Sequence, residues 1–245
     1  MVGMSEPRID RANLIEVLQS LVFYVVFYSM TVLIVLVCAL SMLLSKPIFL
    51  RAVHSWAAFH RFCVRRFLGI KIRLEGQFPA APFLFACKHE SFFEAIDLPY
   101  LLDTPVVFAK AELMQIPVWG YAGRRYGLIA VEREQGASAL RAMVSAARAL
   151  ANEGRPVVIF PEGTRVPHGD TTELQSGFAG LYKLLGLPVV PVAVNSGPLY
   201  QHWWKRRGTI TYRIGEVIPA GLPRDDVEAR VRAAINALNT DQSSK

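Results

Sequence analysis

The stretch ASALRAMVSAARALANEGRPVVIFPEGTR, residues 137–165, decides the fold class. Its first half is rich in Ala and sets Leu140, Val144, Ala147 and Leu150 on one stripe, which predicts a helix over 137–153. Gly154 and Pro156 end that helix. The apolar run Val157–Phe160 then predicts a buried strand, and Pro161-Glu162-Gly163-Thr164-Arg165 a loop beyond it. A helix, a short strand and a loop in so few residues are the repeating unit of an α/β sheet.

The same alternation extends both ways. Further strands are predicted at Ile70–Leu74, Phe83–Cys87, Val106–Ala109, Leu128–Val131, Val189–Val194 and Thr209–Ile214. Further helices are predicted at 92–102, 112–122, 178–185 and 224–238. The fold class is therefore α/β: a mostly parallel sheet flanked by helices. In such sheets, sites gather past the carboxyl ends of the strands.

The N-terminal segment is different. Val17–Ser45 carries no charge, and only Gln19, Ser20, Ser29, Thr31, Ser41 and Ser45 interrupt it with polar groups. As a helix it would be roughly 43 Å long, against a hydrocarbon core of about 30 Å. It is expected to be a membrane-embedded helix, either one tilted span or a hairpin bent at Ser29–Thr31 that enters and leaves one leaflet. Hydrophobic residues make up 52% of the 245; without this run the share falls to roughly 48%, close to an ordinary globular domain. Residues 1–45 are thus assigned to a tail and anchor, 46–69 to a basic amphipathic interfacial helix, and 70–245 to the α/β domain.

Charge follows the same division. The net charge is +7, yet Glu6, Asp10 and Glu16 outweigh Arg8 and Arg11 in the first 45 residues. Lys46, Arg51, Arg61, Arg65, Arg66, Lys71 and Arg73 crowd just after the anchor, which predicts that the domain lies on the cytoplasmic face of an inner membrane. In the amphipathic segment, Phe49, Val53, Trp56, Phe59, Cys63 and Phe67 recur at helical spacing, and the arginines fall opposite. That face suits either anionic headgroups or water. Trp203-Trp204-Lys205-Arg206-Arg207 is a second aromatic and basic cluster suited to a membrane or a basic surface loop. The three cysteines have no CxxC spacing, and the histidines no metal-ligand spacing, so no metal is expected.

Several chemistry-bearing groups follow strands. His89 comes just after Phe83–Cys87, with Glu94 five residues on. If Ser91 caps a helix, Glu94 sits in its first turn and can face the imidazole, fixing its tautomer and leaving the other nitrogen as a general base. Asp97 is the alternative carboxylate. Gly163, Thr164 and Arg165 follow Val157–Phe160 and suit an anionic oxygen, with Arg165 as a forked donor. Lys110 and Arg133 end their own strands and would complete a positive pocket with Arg165. Cys87 is a conceivable nucleophile for His89, although a buried strand cysteine is the default. Gly-x-Ser-x-Gly is absent, which disfavours a serine hydrolase.

Together these segments resemble one family, the glycerolipid acyltransferases typified by 1-acyl-glycerol-3-phosphate acyltransferase, also called PlsC-like. The resemblance covers roughly Pro82 to Gly197. Phe160-Pro161-Glu162-Gly163-Thr164-Arg165 matches a family motif without change. Lys110-Ala111-Glu112-Leu113 with Ile116-Pro117, Gly127–Arg133, and Val190–Asn195 match other blocks in order. The His-x4-Asp motif departs: Glu94 stands at the aspartate and Lys88 where Asn is usual.

The resemblance implies acyl transfer, from acyl-CoA or acyl carrier protein as co-substrate and without a further cofactor, to the free hydroxyl of 1-acyl-glycerol 3-phosphate. The product would be phosphatidic acid. His89 and Glu94 would be catalytic. Lys110, Arg133, Glu162, Gly163, Thr164 and Arg165 would serve the substrate phosphate, Glu162 and Thr164 by ordering the loop or the glycerol. Alternative acceptors are another lysolipid, such as lyso-ornithine lipid, or glycerol 3-phosphate. A membrane-anchored lipid-binding protein is the non-enzyme alternative. Membrane lipids are the expected partners. Nucleic acid is not, because no recognition motif accompanies the positive charge.

Overall fold

The computed structural model describes residues 12–80, 82–131 and 136–240. Its frame is one sheet of seven strands: β1 (Ile70–Glu75), β2 (Leu84–Cys87), β3 (Val106–Lys110), β4 (Leu128–Val131), β5 (Val157–Ile159), β6 (Val189–Val194) and β7 (Gly208–Ile214). The order across the sheet is β1-β7-β6-β2-β5-β3-β4. Strands β6, β2, β5, β3 and β4 run parallel, whereas β7 is antiparallel to β6 and carries β1 parallel to itself. Five strands therefore end on one edge, and β7 and β1 begin there.

Two apolar layers follow from the period-two alternation of strand side chains. In β2, Phe85 and Cys87 face one layer, while Leu84 and Ala86 face the other. The second layer is closed by α5 (Gly136–Ala151), α6 (Gly177–Leu185) and α7 (Arg224–Ile235), through Val144, Phe178, Leu181, Val227 and Val231. The first is closed by α3 (Phe92–Leu101) and the N-terminal helices α1 (Leu14–Leu44) and α2 (Lys46–Arg66).

Helix α1 is continuous, so of the two expected arrangements the hairpin bent at Ser29–Thr31 is not formed. Thr31 instead accepts a hydrogen bond from Trp56 Nε1 at 3.1 Å. Ser20 and Ser41 return their hydroxyls to the Glu16 and Cys38 carbonyls, which satisfies them within an apolar helix. The reversal comes at Ser45, an extended residue that ends α1 and caps α2. The two helices pack antiparallel, Phe27 stacking on Trp56 and Phe59. A polypeptide hairpin therefore exists, formed by α1 and α2 with its turn at Ser45 rather than within the apolar run at Ser29–Thr31.

The first half of α1 is not a free anchor. Phe23 and Phe27 are 1% and 2% exposed and lie against His60, and Phe23 also meets Tyr200. Burying two such rings stabilises the joint by a few kcal/mol, at about 1.5–3 kcal/mol each. The opposite face, with Leu18, Val25, Val32, Leu36 and Leu40, is more than half exposed. Arg61 of α2 also departs from expectation. It turns inward and grips buried Asp97 with two bonds of 2.8 and 2.5 Å.

The helix expected at 112–122 is broken. A 3-10 helix, Ala111–Gln115, is followed by Pro117, and α4 (Trp119–Tyr126) starts only after it. Proline disfavours helical backbone in the residue before it, so Ile116 is extended and the helix restarts.

Candidate active site

The site is built from the carboxyl edge of β2, β5 and β6. His89 leaves β2, and Ser91 opens α3. Ser91 caps the helix by accepting from Phe93 N–H at 3.0 Å, and Glu94 completes the capping box by reaching back to the Ser91 N–H at 2.7 Å. This local closure brings Glu94 Oε1 to 2.9 Å from His89 Nδ1. Glu94 Oε1 also accepts from the Glu90 N–H at 2.6 Å, and Oε2 accepts from the hydroxyls of Ser91 and Ser196 at 3.1 and 2.6 Å. Burial pushes the Glu94 carboxyl up, but the His89 hydrogen bond and charge, the Ser196 hydroxyl and the Ser91 N–H outweigh it and hold the group below its ordinary value. Glu94 is therefore ionised and can only accept. In the neutral ring His89 Nδ1 must carry the hydrogen, which leaves Nε2 with a lone pair. The ring is held from one side by stacking on Phe160, centroids 4.3 Å apart.

Asp97 is taken by Arg61 and by the Tyr212 hydroxyl at 3.1 Å, so it is not the partner of His89. Cys87 is buried, and burial raises its thiol far above the ordinary value, which removes it as a nucleophile.

The loop after β5 passes beside His89, whose carbonyl accepts from the Val166 N–H at 2.8 Å. Glu162 is fully buried rather than facing a substrate. Its Oε1 lies 2.7 Å from Lys88 Nζ, and its Oε2 accepts from the His89 N–H at 3.3 Å. Burial raises the Glu162 carboxyl, while Lys88 and that N–H lower it. Of the two roles expected of Glu162, this burial suits ordering of the loop rather than contact with the glycerol. Lys88, where the family usually has Asn, completes this link by donating to Asn236, the residue that ends α7, at 2.7 Å. Gly163 has φ +66, a conformation that a β-carbon would strain, and its N–H donates to the Phe160 carbonyl at 3.0 Å. Thr164 and Arg165 are exposed, with Arg165 over the Phe92 ring at 4.2 Å and donating to Gln201. Lys110 is exposed at the end of β3, two strands along the same edge from β2. Arg133 lies outside the described residues.

A second histidine–carboxylate pair adjoins the first. His168 Nδ1 is 2.9 Å from Glu90 Oε1, and Glu90 Oε2 accepts from the Gly197 N–H at 2.8 Å. A β-carbon at Gly197 would lie 3.0 Å from that oxygen, so glycine permits the approach. Sequence spacing gave no signal for it, because 78 residues separate His168 from Glu90. Ser196 was equally silent, standing just past the buried strand predicted at Val189–Val194.

Comparisons with known proteins follow this geometry. A family model described as Acyltransferase matches residues 69–195. The 1-acyl-sn-glycerol-3-phosphate acyltransferase of Pseudomonas aeruginosa is 32% identical over 172 residues, covering 69% of this chain and 67% of its own. The human enzyme of that name, beta form, is 29% identical, covering 66% of this chain and 60% of its own. The alpha form of Mus musculus is 26% identical, covering 70% and 64%. The chain thus matches less than two thirds of the two mammalian relatives. The crystal structure of the 1-acyl-sn-glycerophosphate (LPA) acyltransferase PlsC from Thermotoga maritima superposes with TM-score 0.74 at 17% identity, over 94% of this chain and 98% of that one. That likeness establishes the shared architecture, N-terminal helices included.

Proposed function

The chain belongs to the acyltransferase family, and on that premise we propose that it acylates the free hydroxyl of 1-acyl-glycerol 3-phosphate to give phosphatidic acid. The observation that carries this is the His89–Glu94 pair, oriented at the edge where the Arg165 loop also emerges. The names of its relatives support the acceptor. The donor is a thioester, acyl-CoA or acyl carrier protein.

In the proposed mechanism, His89 Nε2 takes the proton of the acceptor hydroxyl as its oxygen attacks the thioester carbonyl. The tetrahedral intermediate collapses, the carbon–sulfur bond breaks, and the imidazolium returns its proton to the departing thiolate. Glu94 holds the ring and stabilises its transient positive charge. Arg165, with Lys110 and Arg133, holds the acceptor phosphate and so fixes the hydroxyl near Nε2. No acyl-enzyme is needed.

Membrane placement is part of the proposal. Near its start, α1 is tied to the domain by Glu16 and Arg206 at 2.8 Å; just past its end, Lys46 of α2 lies 3.7 Å from Glu153. The domain therefore flanks the full length of α1. A perpendicular span would set the part of the domain that joins those two contacts beside hydrocarbon, so α1 is proposed to lie within one leaflet, exposed face outward, on the cytoplasmic side.

The test is acyl transfer by the purified chain to a panel of lysolipids and glycerol 3-phosphate, with each donor in turn. His89→Ala is expected to lower the rate by about 10²–10⁴-fold or more. Wild-type turnover in that variant would overturn the mechanism, and preference for lyso-ornithine lipid would overturn the acceptor.

A further inference from the structure

From the 3-10 helix after β3 into the first turn of α4 the chain exposes Leu113, Ile116, Val118, Trp119 and Tyr121 within nine residues, Val118 at 60% and Tyr121 at 56%. Scattered apolar residues on a surface need no explanation, but five this close do. The tip is also firmly built. Val118 has φ +64 and ψ −51, a conformation that β-branched residues rarely adopt. The Trp119 N–H closes a three-residue turn on the Pro117 carbonyl at 2.6 Å. Beneath it, Gly120 lies so close to the Met114 carbonyl that a β-carbon would stand 2.0 Å from the oxygen. Arg124 donates to that same carbonyl at 3.1 Å. The fold thus holds Val118 and its neighbours outward against local preference.

Position and charge identify what meets them. Strand β3 ends on the edge that carries His89, and α4 packs against α2, the helix that bears α1. The tip is therefore continuous with the lipid-facing side of the molecule. Lys110, Arg124 and Arg125 flank it against a single acid, Glu112. Aromatic and aliphatic side chains ringed by cations suit the headgroup zone of an anionic bilayer.

We propose that Leu113–Tyr121 enters the interface of the bilayer that α1 occupies, as a second lipid contact that fixes the domain's tilt and sets the His89 edge over the lipid surface. The proposal rests on the membrane placement above; its fluorescence test does not depend on the acyl-transfer chemistry, whereas the acylation arm does.

It is tested in the full chain with Trp119 as sole tryptophan (Trp56→Phe, Trp203→Phe, Trp204→Phe), in phosphatidylcholine–phosphatidylglycerol vesicles brominated on the acyl chains. Trp119 fluorescence is expected to be quenched severalfold more than that of a chain whose sole tryptophan comes from Val217→Trp. Val217 adjoins Ile218, which bridges to Val189 at the start of β6, on the opposite edge of the sheet. Equal quenching of the two, or an unquenched Trp119 in chains that float with the vesicles, overturns the proposal. So does a Trp119 spectrum that shifts with acyl carrier protein and not with vesicles. An independent arm uses Val118→Gly in the otherwise native chain. It relieves the turn, so Tm is expected at or above wild type, while acylation of a vesicle-borne acceptor falls severalfold and that of a short-chain, water-soluble acceptor does not. A lowered Tm, or an equal loss on both acceptors, overturns it.

Discussion

Three N–H groups and two hydroxyls converge on the Glu94 carboxylate. Its depressed pKa fixes the sign of a pH effect. Below the ordinary value of 4.5 the unfolded chain takes up a proton that the folded chain refuses, so this stabilisation is present above 4.5 and is lost as pH falls through the lower folded value. Glu94→Ala is expected to destabilise by about 1–3 kcal/mol near neutrality, because it leaves buried donors without an acceptor. The gap between its Tm and that of wild type should close as melts are taken below pH 4.5. Glu90 and His168 allow a separate test. His168→Ala is expected to raise the acceptor KM more than it lowers kcat, by loosening the loop that carries Arg165, with His168→Asn restoring part of the loss. An unchanged KM would deny the pair a positioning role. The His89–Glu94 contact was legible because it closes within one helical turn. The contacts of Lys88, His168 and Ser196 join segments distant in sequence, and nothing in local spacing marks them.

At the scale of elements, the strands were legible within a residue or so, because short apolar runs bounded by Gly, Pro and charge admit few alternatives. The 3-10 helix and α4 were not, since apolar spacing over 112–122 fits one continuous helix and only backbone sterics at Pro117 and Val118 divide it. Gly120→Ala is accordingly expected to lower Tm by several degrees or to abolish folding, as its new carbon would meet backbone rather than a movable side chain. Helix α2 carries another consequence. His60 is buried against Phe23, Phe27 and Phe93, with Nε2 2.8 Å from the Tyr200 hydroxyl. Burial, aided by Arg61 and Lys205, pushes its pKa down to about 3. As pH falls from 6.5 toward 3, the unfolded histidine gains a proton that His60 does not, so stability falls across that window. His60→Phe should flatten the dependence of Tm on pH there. A slope identical to wild type would place the acid sensitivity elsewhere.

The whole molecule is joined by contacts that span the chain. Lys88, Glu162 and Asn236 tie β2, the loop after β5 and α7 through groups without solvent access at the ion pair. Removing one charge, as in Glu162→Ala, is expected to destabilise by about 3–5 kcal/mol, whereas Lys88→Met with Glu162→Leu should recover most of it. Comparison of denaturant midpoints checks both. Composition divided this chain into an anchor and a domain; packing does not, because Phe23 and Phe27 complete the core that α3 and β6 begin. The joint also has a consequence in time. The Glu16–Arg206 contact links residues 190 apart, and the Tyr24 hydroxyl donates to the Trp203 carbonyl. At about 5–20 residues per second, α1 leaves the ribosome roughly 10–40 s before the loop that receives it. For that interval α2 covers only one face of α1, so on the proposed placement the bilayer would shelter the rest of the first helix during synthesis.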